Sequence, residues 1–373
     1  MTSELPLPAP RSPLPARRFP PEWHPHSATW LGWPHHRPDW PGKFETIPWV
    51  YAEIVRVLHR HEPVHILCNG EETREEALRA LRAHDVDLGG CALHLVPSDR
   101  VWLRDSGPTG VLRADGALEW IAWKFNAWAK YENYTRDELI AATVAELSGV
   151  PCVEAERPDG GGRLVLEGGA IETNGDGTLM VTEECLLSPV QERNPGLDRA
   201  GYERAFAQYL GIARTIWLGE GCVGDDTHGH IDDVARFTAA DTIVLAFEQD
   251  PNDENHRRSV DNLRRLEHES GGTPGGLRIV KLPYPRPVIM DGERLPASYA
   301  NFYIANGVVI VPTFNDPNDR VALNVLAELF ADRTVVGVHA VDLVWGLGTL
   351  HCLTQQQPER GSDRQSRIDS ADM

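Results

Sequence analysis

Apolar residues recur at helical spacing along six stretches of the chain: Ile47–Arg60, Glu71–Ala83, Arg136–Ser148, Leu197–Tyr209, Asn255–Glu269 and Asp319–Phe330. Side chains three and four apart share one face of a helix, so each stretch predicts a helix with a buried side and a charged side. Thr135, with Glu138 three residues on, predicts an N-terminal cap for the third. Short apolar or alternating runs lie between them. VHILCN (64–69), CALHLVP (91–97) and VVGVHA (335–340) read as single strands. LVLEGGAIETNGDGTLMVT (164–182) reads as a hairpin turned at Asn174-Gly175-Asp176-Gly177, and VARFTAADTIVLAFEQ (234–249) and ANFYIANGVVIVPTF (300–314) read as two more. Helices alternating with strands predict an α/β protein.

Polar residues gather where these strands end, in WLRDSGP (102–108), LEGG (166–169), GHIDD (229–233), NFYIANG (301–307) and GTLHC (348–352). Asp105, Glu167, Asp232, Asn301 and Cys352 mark a spacing of about 50 to 70 residues, with helices between most of them. Loops of an ordinary α/β protein give such a spacing. So does an internal repeat of a helix and a few strands, whose marked ends would meet at one centre.

Composition narrows the function classes. The chain carries 36 basic and 55 acidic residues, for a net charge of −19. That argues against nucleic acid, which wants a basic footprint, and suits a cationic substrate as well as it suits simple solubility. No apolar run is long enough to span a membrane. The Pro-rich start (1–18) has no apolar signal core and reads as a disordered leader, and the polar end (359–373) as a disordered tail. That leaves 19–358 as a single domain. The six cysteines form no C-x-x-C pair and read as reduced thiols in a cytoplasm.

GDDTHGHIDDVARF (224–237) holds the densest chemistry. His228, His230 and Asp232 are spaced H-x-H-x-D, a pattern of metallohydrolases, but position 233 is Asp where the common pattern has a further His. A catalytic zinc wants three protein ligands, usually rich in His, and the chain lacks the other spaced histidines. Acid/base and cation-binding work without metal or cofactor is the stronger reading. Taken singly, each residue has a bland one: Cys352 as a buried thiol, Arg104-Asp105 as a local ion pair, Gly168-Gly169 as a turn, Trp102, Trp123 and Trp128 as packing, and Asn301 and Asn306 as backbone partners at strand ends.

In combination they change meaning. WLRDSGP, LEGG, GHIDDVARF, NFYIANG and GTLHCLTQQQP, with FPPEWHPHSATWLGWP near the start and VTEECLL in the middle, resemble the agmatine deiminase family. That family stands with the bacterial-type peptidylarginine deiminases in the guanidino-group-modifying superfamily. The resemblance runs from Phe19 to Pro358. It implies a five-bladed α/β propeller of ββαβ modules about a pseudo-fivefold axis. It implies hydrolysis of agmatine to N-carbamoylputrescine and ammonia, a step toward putrescine and polyamines, through a covalent thiouronium. By resemblance Cys352 is the nucleophile, His230 the general acid/base, Asp105 and Asp232 the guanidinium clamp, and Glu167 a further acid at the pocket floor. Trp102, Arg104, Trp128, Asp226, His228, Asn301, Asn306 and Gly348 are expected at the substrate, Asp226 near its distal amine. The expected partner is a small cationic guanidino compound, and a homo-oligomer is left open.

The chemistry suits the residue types. A guanidinium is a planar, permanently charged, poor electrophile. Carboxylates fix its plane through paired hydrogen bonds, and a thiolate is nucleophile enough at neutral pH. The sequence departs from the family pattern at His228, which replaces a short polar residue, in WGLGTLHC, which has fewer glycines, and in FNAWAKY. Those departures leave other guanidino substrates in play: an arginine derivative, a guanidino acid or a peptidyl arginine.

Overall fold

The computed structural model describes residues 17–271 and 275–361. The expectations for 1–16 and 362–373 lie outside them. Arg17 and Arg18, assigned to the leader, instead form a short strand paired with Leu112 and Arg113. Past Pro358, the Glu359 N–H donates to the Pro25 carbonyl.

One topological unit recurs five times: an antiparallel pair, a helical crossover, and a third strand parallel to the second. Thr109–Arg113 pairs antiparallel with Leu118–Ala122, and helix Ile140–Ser148 leads to the parallel Cys152–Glu154. Glu172–Thr173 and Thr178–Thr182 are followed by helix Arg199–Leu210 and strand Arg214–Leu218. Ala235–Ala239 and Thr242–Phe247 are followed by helix Glu254–Ser270 and Arg278–Pro283. Tyr303–Ala305 and Val308–Thr313 are followed by helix Pro317–Leu329 and Thr334–His339. The fifth unit joins the two ends of the chain. Thr354–Pro358 pairs antiparallel with His26–Gly32, helix Ile47–Leu58 leads to the parallel Val64–Cys68, and helix Glu71–Ala83 leads on to Cys91–Leu95. Parallel pairing needs a long crossover, which explains the regular spacing of helices. The second strands TIVLAF and VVIVPT are nearly continuous apolar runs because they are covered on both faces.

Local chemistry moves several predicted bounds. Three helices start behind aspartate caps, Asp198, Asp253 and Asp316, the last with a full capping box through Asp319. The stretch predicted over Arg136–Ser148 begins as a separate turn at Asp137–Leu139, and neither start has a side-chain cap, so Thr135 does not serve as one. Asp137 is used elsewhere: its carboxylate accepts from the Asp99 and Arg100 N–H groups at 2.7 and 3.0 Å. The hairpin predicted over 164–182 turns at Gly175 and Gly177, both with positive φ, but only its end is paired. Residues 168–170 leave the sheet as a single tight turn, and that departure carries Glu167 inward. Among the described residues no helix is long and apolar enough to cross a membrane.

Candidate active site

The marked segments of all five units converge. The short helix Leu103–Ser106 follows Trp102 and buries Asp105. Glu167 ends a segment whose next two residues are glycine for steric reasons. A Cβ on Gly168 would lie 2.2 Å from the Arg104 carbonyl oxygen, and one on Gly169 would lie 2.5 Å from His230 Nδ1. Backbone and ring can therefore close on Asp105 only without side chains there. His230 enters just before the turn Ile231–Asp233, and Cys352 sits in the last turn Leu350–Leu353. Gly348 keeps the opposite wall thin, since a Cβ there would meet the Trp102 ring at 2.7 Å and Cys352 Cβ at 3.2 Å.

Cys352 Sγ lies 3.2 Å from Asn301 Nδ2 and 3.8 Å from Asp232 Oδ2. Asn301 is held in turn by donors from Thr349 Oγ1 and the His351 N–H at 2.7 and 3.0 Å. Burial raises the Cys352 thiol well above its ordinary pKa, and Asp232, Asp233 and Asp105 add to that. A cation placed among these acids acts in the opposite direction. His230 stands between two carboxylates, with Nδ1 3.8 Å from Asp105 and Nε2 3.6 Å from Glu167. Burial disfavours its charged form, but Asp105, Cys185 and Glu167 together hold its pKa well above the usual value. Burial carries Asp105 up to about 6, opposed by His230 and reinforced by Asp232 and Glu167. Glu167 goes the other way, to about 2, because Arg193 and His230 outweigh its burial.

Four atoms here are buried with no hydrogen-bond partner in the protein: Glu167 Oε2, both His230 ring nitrogens and Asp232 Oδ1. Buried polar groups are nearly always paired, so a cluster of orphans marks a place that a ligand completes. The orphans lie behind a pocket of about 450 Å³ lined by Trp102, Asp105, Trp128, Asp226, Gly348 and Cys352, among others. Trp128 donates its indole N–H to Asp105 Oδ2 at 2.8 Å. It does so from a run of three left-handed residues, Ala127, Trp128 and Ala129, with φ of 49°, 59° and 52°. Non-glycine residues are strained there by roughly 1–3 kcal/mol each, and such strain concentrates at functional sites.

The outer pocket holds mixed charge. Asp226 lines it, but its carboxylate is already engaged by Lys130 Nζ and, at 2.7 Å, by the Tyr131 hydroxyl. Arg100 stacks 4.1 Å over the Tyr131 ring and pairs with Asp39 at 2.7 Å.

Of the residues singled out in the sequence, Asp105, Glu167, His230, Asp232, Asn301 and Cys352 come together, with Trp102, Trp128, Asp226 and Gly348 on the pocket wall. Three do not reach it. Arg104 is buried against Gln356 (2.7 Å) and Glu22 (3.5 Å). Asn306 ties His26 to Glu62 through backbone contacts, bonding the His26 carbonyl at 2.8 Å. His228 turns away at a left-handed φ of 67°, its Nε2 3.0 Å from Ser188 Oγ. The H-x-H-x-D spacing therefore does not assemble a ligand set: His228 faces Ser188, His230 faces Glu167, and Asp232 accepts from His351 at 2.7 Å. Sequence reasoning missed Arg193, Cys185, Lys130 and Tyr131. Cys185 lay in the quoted VTEECLL, but nothing along the chain says that it lies against His230.

The family model for Porphyromonas-type peptidyl-arginine deiminase matches residues 18–358. Agmatine deiminase of Pseudomonas aeruginosa (strain LESB58) is 33% identical over 364 residues, covering 91% of this chain and 95% of that one. The agmatine deiminase of Stutzerimonas stutzeri (strain A1501) is 34% identical over the same shares. Among solved structures, agmatine deiminase of Enterococcus faecalis superposes with a TM-score of 0.84 at 29% identity, covering 92% of this chain and 96% of that one. A substrate-bound agmatine deiminase of C. jejuni gives 0.80 at 26% identity, over 92% and 97%.

Proposed function

Because the chain belongs to the Porphyromonas-type peptidyl-arginine deiminase family, we propose that it hydrolyses the guanidino group of agmatine to N-carbamoylputrescine and ammonia. The observation that carries this reading is the meeting of a buried thiol, a histidine and three carboxylates in one cluster, of which Cys352 and Asp105 line the pocket. We read the five units as blades around an axis, because their marked ends, far apart in sequence, meet there, and we read 19–358 as the catalytic domain.

The steps follow from the positions. The guanidinium enters between Asp105 and Asp232, and its charge favours ionisation of the Cys352 thiol that the bare site opposes. Sγ attacks the guanidinium carbon, and His230, held protonated by its carboxylate neighbours, donates to the departing nitrogen so that it leaves as ammonia. The thiouronium left on Cys352 is attacked by a water whose proton the neutral His230 accepts. Collapse frees the urea-type product and returns the sulfur. Asn301 positions the sulfur, and Glu167 positions His230.

A second substrate class has one observation in its favour. Lys130 already neutralises Asp226, so the distal site offers less negative charge to an amine than Asp226 alone would. A guanidino acid would find Lys130 and Arg100 nearby. Ammonia release from agmatine, arginine and 4-guanidinobutanoate decides between them. Agmatine leading by kcat/KM supports the first reading, and the guanidino acid leading replaces it. Mass spectrometry of a quenched reaction should find the adduct on the peptide carrying Cys352. Full activity without Cys352 would end both readings.

A further inference from the structure

Cys185 has no part in these steps, yet it is buried beside them. Its Sγ, a Glu167 oxygen and a His230 ring nitrogen all lie within 4.8 Å of one another, the only such group of three or more metal-ligating residue types among the described residues. The short helix Glu183–Leu187 carries it, and Thr182 locks that helix to the histidine arm. The Thr182 hydroxyl accepts from the Cys185 N–H at 3.1 Å and donates to the Gly229 carbonyl, next to His230. A second observation points to a ligand. Glu167 Oε2 and His230 Nε2 are both buried and face only each other, at 3.6 Å, too long for a good hydrogen bond.

We propose that Cys185, His230 and Glu167 form a zinc site whose occupation switches the enzyme off. Ligands about 2.0–2.3 Å from a tetrahedral zinc stand roughly 3.3–3.8 Å from each other, so the His230–Glu167 separation of 3.6 Å already suits it, and the sulfur, within 4.8 Å of both, needs to close by at most about 1 Å. The thiolate and imidazole select zinc over magnesium or calcium, which take oxygen ligands. One outer partner is bonded and a second stands close by. Asp105 stands at Nδ1, on the far side of the His230 ring, at 3.8 Å, and Arg193 donates to the other Glu167 oxygen at 3.0 Å. Binding releases two protons into solvent, one from the Cys185 thiol and one from His230 Nε2, and the metal takes the lone pair left on that nitrogen. On the reading of His230 given above, neither proton transfer can then occur. This differs from a metallohydrolase: the metal uses only one residue of the H-x-H-x-D stretch and blocks the chemistry.

The test uses chelator-treated, metal-free full chain and zinc or cobalt ions as probes. The Cys352→Ala variant should bind one zinc per chain, and cobalt should show a thiolate charge-transfer absorption. Adding Cys185→Ala should remove that absorption and weaken zinc binding by about 10-fold or more, with a melting temperature that shows the chain still folded. Should Cys185→Ala fail to fold, Cys185→Ser replaces it in the same comparison. In the parent, zinc should suppress ammonia release and EDTA should restore it. Binding that survives loss of Cys185, binding that vanishes with Cys352 alone, no stoichiometric binding, or zinc that raises the rate would each overturn the proposal. Because metal binding in Cys352→Ala needs no turnover, its failure leaves the deiminase reading untouched.

Discussion

Two buried polar clusters lie side by side in this molecule, and they are built on opposite terms. In one, Glu22 accepts from the Ile304 N–H at 2.7 Å and meets His351 Nε2 at 2.8 Å, Arg236 at 3.0 Å and Arg104 at 3.5 Å. Arg236, wholly buried, also pairs with Glu172 at 2.9 Å and donates to the carbonyls of Ala300 and Phe302. This cluster draws on the N-terminal segment and all five units, and every carboxylate in it has more than one donor. In the other, around His230, the acids outnumber the protein's own cations and four polar atoms have no partner. His351 joins them, since its Nδ1 is bonded to Asp232. In the first cluster only Arg236 Nη2 lacks a hydrogen bond, and it still stands 3.0 Å from Glu22, so the cluster is neutralised by the protein's own groups and fixes how the units meet. The second is left incomplete, and a cation completes it.

The comparison is broken most severely at the sulfur. Cys352→Ala should lower ammonia release by roughly four orders of magnitude or more, while the melting temperature stays close to that of the parent. A large loss of stability instead would place Cys352 in the structural cluster.

Arg236→Met should do the reverse. It strands Glu22 and Glu172, and losing one partner of a buried ion network costs about 3–5 kcal/mol. Urea unfolding should show that loss; an unchanged midpoint would remove the distinction between the clusters.

Asp105→Asn should cost on the order of 100-fold in kcat/KM or more, yet stabilise the free protein at pH 7 by roughly 1–3 kcal/mol. The sign follows from its raised pKa of about 6. Its contribution to stability is complete below the unfolded value of 3.8 and is lost as pH rises through 6, so the variant's advantage should grow between pH 4 and 7. Glu22 has the opposite sign. Burial pushes it up, but Arg236, His351 and Arg104 hold it far below the usual range. Its contribution is present above about 4.5 and fades as pH falls below that, so the gap between parent and Glu22→Gln should narrow in acid. Parallel pH profiles for the two variants would contradict this assignment.

The smallest effect belongs at the pocket mouth. His228→Asn should change the agmatine-to-arginine ratio by less than about 3-fold, because the ring faces Ser188 rather than the pocket. A larger change would bring His228 back into the tail site.

What the sequence determined by itself was the alternation of helix and strand, and the residues whose chemistry needs company. The helical period and the apolar runs report local burial, so Glu71–Ala83 was readable to the residue. Asp105, Glu167, His230, Asp232 and Cys352 could be picked out because a family pattern fixes their order. Tertiary structure decided which neighbours they have. His228 and His230 are two residues apart, but a left-handed turn at His228 and the glycine after it send the two rings to different partners. Asp137 was spent on the Asp99–Arg100 backbone instead of on its own helix. Glu22, Arg236 and His351 meet across more than 300 residues of chain, from Glu22 to His351, and nothing in their local patterns marks them as buried. Burial of a charge depends on what surrounds it in space, and for these residues the surroundings come from different units of the fold.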